Sequence, residues 1–218
     1  AEGDEVRPGN PGRELERAMY EAFQRTHAVS LSPYVSIAEE CRFIVLNGVV
    51  ELAYRKDRLE VSGDGTRTVL ELLARRLDAG DGADATQRRA QAARLLQESD
   101  ETTLRVLASV PKVGEVVLLN WKHNLGQGAV ARIIGDPGRD APAMTALALD
   151  AARAINLVFG SVDVVMLNGP GGLTPHVLEI NAGVMMESLA SDSTEGLAIA
   201  RRIYDRALAS MFGLPADA

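Results

Sequence analysis

Three stretches place polar side chains where the surrounding pattern asks for apolar ones. In SVDVVML, Asp163 sits among Val162, Val164 and Val165. In HVLEINAG, Glu179 and Asn181 lie two residues apart, so on a strand they share a face. In LLNWKHNLGQGA, Lys122 and Asn124 leave an apolar run just before two glycines. A carboxylate buried in such a run must be neutralised, hydrogen-bonded or paired. Asp163, Glu179 and Asn181 offer the hard oxygen ligands that Mg²⁺ takes alongside water and phosphate. The sequence holds no local cationic partner for them, which favours an external cation. Taken singly, each has a plainer reading: Glu179 and Asn181 as a solvated strand end, Asp163 as a turn cap or the partner of a distant arginine. Their conjunction with a basic hairpin and a glycine loop favours the chemical reading.

The elements that must position them are legible in part. CRFIVLNGVVELAYRK is two β-rich runs around Asn47-Gly48, the pair suited to a type I′ turn, and predicts a hairpin. Glu14 to Arg25 has a helical stripe of Leu15, Ala18, Met19, Ala22 and Phe23, and HAVSLSPYVSI reads as a short extended segment. VSGDGTRTVLELLARRL predicts a turn and an amphipathic helix, QRRAQAARLLQES a second helix, and VGEVVLLNWK a strand. The last third predicts a helix over 144–157, two strands at SVDVVMLNG and HVLEIN, and a helix opened by a capping box at Asp192 and Glu195. That helix would carry Leu197, Ala200, Tyr204, Ala207, Leu208 and Met211 on one side. The expected class is α+β, helices packed on a mainly antiparallel sheet.

Bulk properties narrow the function. The 218 residues are 46% hydrophobic with a formal charge of -7. No stretch concentrates the 23 basic residues, so a nucleic-acid footprint is not expected. No apolar run is long enough to span a membrane, and the cytoplasm is the expected location. Cys41 is the single cysteine, and His27, His123 and His176 have no metal-set spacing.

SVDVV followed by VLEINAGVMME resembles the metal-binding end of the ATP-grasp superfamily, and EECRFIVLNGVVELAYRK resembles its central hairpin. GDGTRTVLELL with VPKVGEVVLLNWKHNLGQGA is similar to the branch that includes cyanophycin synthetase and ligases related to glutathione synthetase. The resemblance covers most of Val29 to Glu187, and the motifs in order are more specific than any one alone. It implies an ATP-grasp fold in which Asp163, Glu179 and Asn181 hold Mg²⁺ against ATP. Glu40 would contact the ribose, and Ser32, Pro33, Tyr34 and Val35 would form the hinge at the adenine edge. Arg42, Lys122 and Asn124 would face the phosphates and the reacting carboxylate. Gly63-Asp64-Gly65 would be a loop near the acceptor site, although such a triplet alone is most often a turn. The family pattern puts its phosphate-contacting cation at Lys56. Pairing Leu46 with Val49 and counting alternately puts Arg55 on the face of Glu40 and Arg42 instead. A bulge would favour Lys56, and both remain candidates.

The resemblance implies an ADP-forming ligase joining a small-molecule carboxylate and an amine through an acyl phosphate. An ATP-grasp kinase and a non-catalytic nucleotide-binding remnant are the alternatives, and a homo-oligomer is allowed. Residues 1–29 would be a loop and the end of a lid. Residues 30–218 would be the C-terminal ATP-grasp domain, with a helical insertion over about 66–110. A substrate-side domain and most of the lid are expected to be missing. Asp163→Asn and Glu179→Gln are each expected to abolish metal-dependent turnover with the fold largely intact.

Overall fold

The computed structural model describes residues 12–33, 35–78, 101–119, 130–192 and 194–214. They fall into two units, the first ending at Ser36 and the second beginning at Ile37. The first contains α1 (Arg13–Phe23), with Arg17 and Glu21 paired one turn apart at 2.9 Å. After α1 the described backbone takes no helix or strand until Ile37.

The second unit is α+β and built on a five-stranded sheet. Its strands are β1 (Ile37–Leu46), β2 (Val49–Asp57), β5 (Val130–Ile133), β6 (Phe159–Gly169) and β7 (Gly172–Asn181). Their order is β5-β2-β1-β6-β7, with every pairing antiparallel. Asn47 and Gly48 close the β1–β2 hairpin with φ of 50° and 76°, the left-handed pair a type I′ turn requires. β1 and β6 lie inside the sheet and are covered on both faces. That is why FIVL and VDVV read as unbroken apolar runs rather than alternating ones.

One face packs Cys41, Phe43, Val45, Ala53, Val162 and Val164 against α5 (Pro142–Ala154). Met144, Ala148 and Ala152, spaced four apart, supply the buried stripe of that helix, which begins two residues before the predicted start. A short helix, α4 (Pro137–Asp140), precedes it and accepts the Thr145 hydroxyl at the Pro137 carbonyl, 2.7 Å. The opposite face packs Ile44, Leu52 and Tyr54 against α6 (Glu187–Asp192) and α7 (Thr194–Met211). Each fully buried Val, Leu, Ile or Phe contributes about 1.5–3 kcal/mol from burial.

Two expectations about α7 are corrected. Asp192 ends α6 instead of opening a new helix, because the backbone is already helical from Glu187. The buried side of α7 is Gly196, Ala200, Ile203 and Ala207, whereas Leu197, Leu208 and Met211 are exposed.

Residues 59–73 and 107–119 hold a smaller core of their own. β3 (Glu60–Ser62) pairs with β4 (Val116–Leu118). Leu59 and Val61 pack with Val69 and Leu73 of α2 (Val69–Asp78), Leu107 of α3 (Glu101–Ala108) and Leu119. Thr68 and Glu71 form a reciprocal capping box at the start of α2: Thr68 N–H donates to Glu71 Oε2 (2.7 Å), and Glu71 N–H to Thr68 Oγ1 (3.2 Å). The predicted helix QRRAQAARLLQES lies outside the described residues.

Candidate functional site

Glu40, Arg42, Lys56, Asp163 and Glu179 come together on the sheet face that packs, further along, against α6 and α7. Register explains the assembly. Arg42 of β1 is the cross-strand partner of Asp163 on β6, and Asp163 is the partner of Glu179 on β7. One row further, Ser161 opposes Asn181. β7 has its own irregularity between the Asp163 and Val164 pairings, at which Leu178 is passed over. Leu46 pairs with Val49, as expected, but the ladder shifts between Ile44 and Val45, so Ile44 meets Leu52 and Glu51 is the extra residue. That bulge corrects the simple alternate count: Lys56 lies on the face of Glu40 and Arg42, and Arg55 opposes Cys41 on the other face. Arg55 there pairs with Asp57 at 2.7 Å and Glu39 at 3.6 Å. The bulge is held from outside, since Glu51 takes an ion pair at 2.6 Å from Arg206 of α7.

The charges are tightly matched. Arg42 donates from Nε to Asp163 Oδ1 and from Nη2 to Oδ2, both at 2.7 Å, the parallel two-bond fork that suits a carboxylate. Lys56 Nζ donates to the same Oδ2 at 2.7 Å and to Glu40 Oε1 at 2.6 Å. Arg42 Nη2 also stands 3.7 Å from Glu179 Oε1, which accepts a hydrogen bond from Asn181 Nδ2 at 3.0 Å. The Asp163 side chain is 1% exposed, Lys56 7%, Arg42 20% and Glu179 54%. Burial pushes the Asp163 carboxyl up, but the Arg42 hydrogen bonds and the Lys56 charge outweigh it, and its pKa falls below the ordinary value. Burial likewise works against the Lys56 cation, and Asp163 and Glu40 overcome it, holding Lys56 above the usual lysine pKa. Arg42, Lys56 and Asp163 thus hold one another in their charged forms.

The sequence holds no local cation for these carboxylates, and the structure brings distant ones, in line with the plainer reading of Asp163 as the partner of a distant arginine. Arg42 and Lys56 lie over a hundred positions from Asp163 in sequence and reach it across strands. The apolar look of HVLEIN also misleads about burial: β7 is an edge strand, with Val177, Leu178 and Glu179 substantially exposed. Tyr54, opposite Arg42 and buried, belongs to this neighbourhood and was not anticipated; its place two residues before Lys56 on one strand was the available signal. Ser32, Pro33 and Val35 lie in the first unit, in backbone without helix or strand. Tyr34, Lys122 and Asn124 lie outside the described residues.

Among the described residues, no group of three or more His, Cys, Asp or Glu side chains converges to hold a metal by itself. The donor chemistry still fits Mg²⁺, which is commonly bound by one or two carboxylates and completed by water and phosphate oxygens. Asp163 and Glu179 are cross-strand partners and already share one cationic group, the Arg42 guanidinium.

Gly63-Asp64-Gly65 forms a braced turn. Gly63 N–H donates to the Glu115 carbonyl (2.7 Å) and Gly65 N–H to the Pro111 carbonyl (3.1 Å). Asp64 Oδ1 accepts from the Thr66 and Arg67 backbone N–H groups at 2.9 and 2.8 Å.

No protein-family model and no curated protein matches this sequence. Among solved structures, the fold is similar to a bifunctional glutathione synthetase from Pasteurella multocida, with TM-score 0.48 and 19% sequence identity. The overlap takes in 91% of this chain and 29% of that one, so the chain spans less than a third of the enzyme's length.

Proposed function

We propose that this chain is the nucleotide- and metal-binding part of an ATP-grasp ligase that joins a small-molecule carboxylate to an amine, acting in the cytoplasm. The observation that carries the reading is the row Arg42–Asp163–Glu179 with Lys56 beside it: two cations and two carboxylates on one sheet face, partly open to solvent. The ordered resemblance of the hairpin, the SVDVV strand and VLEIN to that superfamily points the same way.

Asp163, Glu179 and Asn181 would hold Mg²⁺, which draws charge from phosphate oxygens when bound. Lys56 remains cationic and stabilises charge developing on the transferred phosphoryl group, with Arg42 and Lys122 as further donors. Arg55, on the other face of β2, is the weaker candidate for that contact. Glu40 contacts the ribose, and Ser32, Pro33, Tyr34 and Val35 bind the adenine edge. Asn124 orients the reacting carboxylate. Its oxygen attacks the γ-phosphorus, the bond to the β-bridging oxygen breaks, and ADP leaves with the electron pair. The amine nitrogen then attacks the acyl carbon, phosphate departs and one proton is released, which leaves an amide.

Titrating ATP with Mg²⁺ while following ADP release and hydroxylamine-trapped acyl phosphate tests the reading. ADP release with trapped acyl hydroxamate supports a ligase. A stable phosphorylated product instead identifies a kinase, and tight nucleotide binding without turnover refutes both enzyme readings for this chain.

A further inference from the structure

The Arg42 guanidinium occupies the ground between two carboxylates that face each other across β6 and β7. Its Nη2 is 2.7 Å from Asp163 Oδ2 and 3.7 Å from Glu179 Oε1, so it bridges them as an external cation would. We propose that Arg42 is a resident counter-cation which must leave Asp163 for a divalent cation to enter, and which then turns to an anionic ligand. The proposal rests on the metal-site reading above and adds an exchange step to it.

Three observations carry it. First, two cations set against the three carboxyl groups of Glu40, Asp163 and Glu179 give a formal charge of only -1, too little to hold a divalent cation strongly while Arg42 stays. Second, the burden falls on one ligand, because Asp163 already accepts three charge-assisted hydrogen bonds from Arg42 and Lys56. Third, the two cations differ in freedom. The Lys56 side chain is 7% exposed and clamped between Glu40 and Asp163, whereas that of Arg42 is 20% exposed and borders the open Glu179 side. Arg42 is the group with somewhere to go. Released from Asp163, its planar fork suits phosphate oxygens as well as it suits a carboxylate. Metal and polyphosphate should therefore bind with positive coupling, each favouring the state the other needs.

Mn²⁺ binding, followed by electron paramagnetic resonance with and without a non-hydrolysable ATP analogue, tests this in the folded chain. Arg42→Met should bind Mn²⁺ alone about tenfold more tightly than the wild type and lose most of the enhancement by nucleotide. Adding Glu179→Gln should weaken Mn²⁺ in both backgrounds. Equal Mn²⁺ affinity in the wild type and Arg42→Met, with nucleotide enhancement retained, overturns the exchange and leaves the metal site standing. Failure of Mn²⁺ to bind either protein even with nucleotide overturns both. A wild-type measurement covers the case in which Arg42→Met does not fold. The Arg42 Nε–H nitrogen resonance, shielded by Asp163, should shift and exchange faster with solvent at saturating Mg²⁺ and nucleotide. An unchanged resonance under those conditions rules out departure.

Discussion

Asp163→Asn separates the structural from the chemical role of the central carboxylate. The Asp163 side chain is 1% exposed and its two oxygens accept from Arg42 Nε, Arg42 Nη2 and Lys56 Nζ, each at 2.7 Å. Asparagine keeps one acceptor oxygen and turns the other into a donor. Whichever way the amide is set, N–H faces N–H, and Arg42 is left with the exposed Glu179 while Lys56 keeps Glu40. Removing one partner of a buried ion pair costs about 3–5 kcal/mol. The partial access of Arg42 to water argues for the lower end, so the expected loss is roughly 3 kcal/mol. Against a total stability of about 5–15 kcal/mol this is a large fraction. It corresponds to a Tm decrease of roughly 6–12 °C for a domain of this size. Urea unfolding followed by circular dichroism at pH 7 measures it, with Glu179→Gln as the comparison. Glu179 is 54% exposed and 3.7 Å from Arg42, so that variant should stay within about 1 kcal/mol of wild type. Both variants should therefore still fold, with a measurable loss of stability expected for Asp163→Asn alone. Adding Lys56→Met to Asp163→Asn should cost less than the separate losses combined, because it removes a cation that has lost one of its two carboxylate partners. An Asp163→Asn loss below about 1 kcal/mol would refute the ion-pair account.

The stability difference between wild type and Asp163→Asn should depend on pH in a stated sense. Asp163 has a lowered folded pKa, so its contribution is present above the unfolded value of about 3.9 and fades as pH falls through the folded one. Lys56 has a raised folded pKa, so its contribution is full below about 10.4 and fades as pH rises beyond that. The difference in denaturation midpoint between the two proteins should be flat between those limits, and a maximum of that difference near pH 4 would contradict the assignment. Cys41 is buried, and desolvation with the neighbouring Glu39 pushes its thiol up to about 12. It should react with a thiol reagent only as fast as the fold opens, and rapid labelling of native protein would show otherwise. Gly63→Ala would set a methyl 2.1 Å from the Lys112 carbonyl oxygen and 2.8 Å from that of Pro111. Hydrogen exchange should then rise in β3, β4 and α2 while β1 and β6 keep their protection, and uniform loss across both regions would show that the small core is not separate.

What the sequence disclosed divides along the range of the interactions involved. The Asn47-Gly48 hairpin, α1, α5 and the strand pair at SVDVVMLNG and HVLEIN depend on local chemistry and were legible. The shared face of Glu179 and Asn181 followed from alternation alone. The partner of Asp163 did not, because Arg42 and Lys56 are brought to it by register over more than a hundred residues. Bulges hide in the same way. Nothing in VVELAYRK marks Glu51 as the extra residue, yet that one residue moves Lys56 onto the face of Glu40. The tertiary ion pair with Arg206 identifies it, and that pair exists only once α7 has docked. The stripe of α7 was misjudged for a related reason. Gly196 and Ala200 are buried because small residues let the helix approach the sheet, so the larger Leu197 and Leu208 could not mark the contact face.

The same sheet face is apolar at one end and ionic at the other. Ile44 and Leu52, with Tyr54, pack under α6 and α7, and the next positions along the strands are Arg42, Asp163, Lys56 and Glu40. An ion cluster in that position gives little net stability, since desolvation consumes most of the attraction between the charges. Under the proposed function its placement is electrostatics prepared for a ligand. The apolar wall beside it keeps the local dielectric low, so a phosphate oxygen or a cation arriving there meets stronger fields than it would in water. The cluster leaves Glu179 more than half exposed and Arg42 at its margin, where a ligand can compete for the pairing.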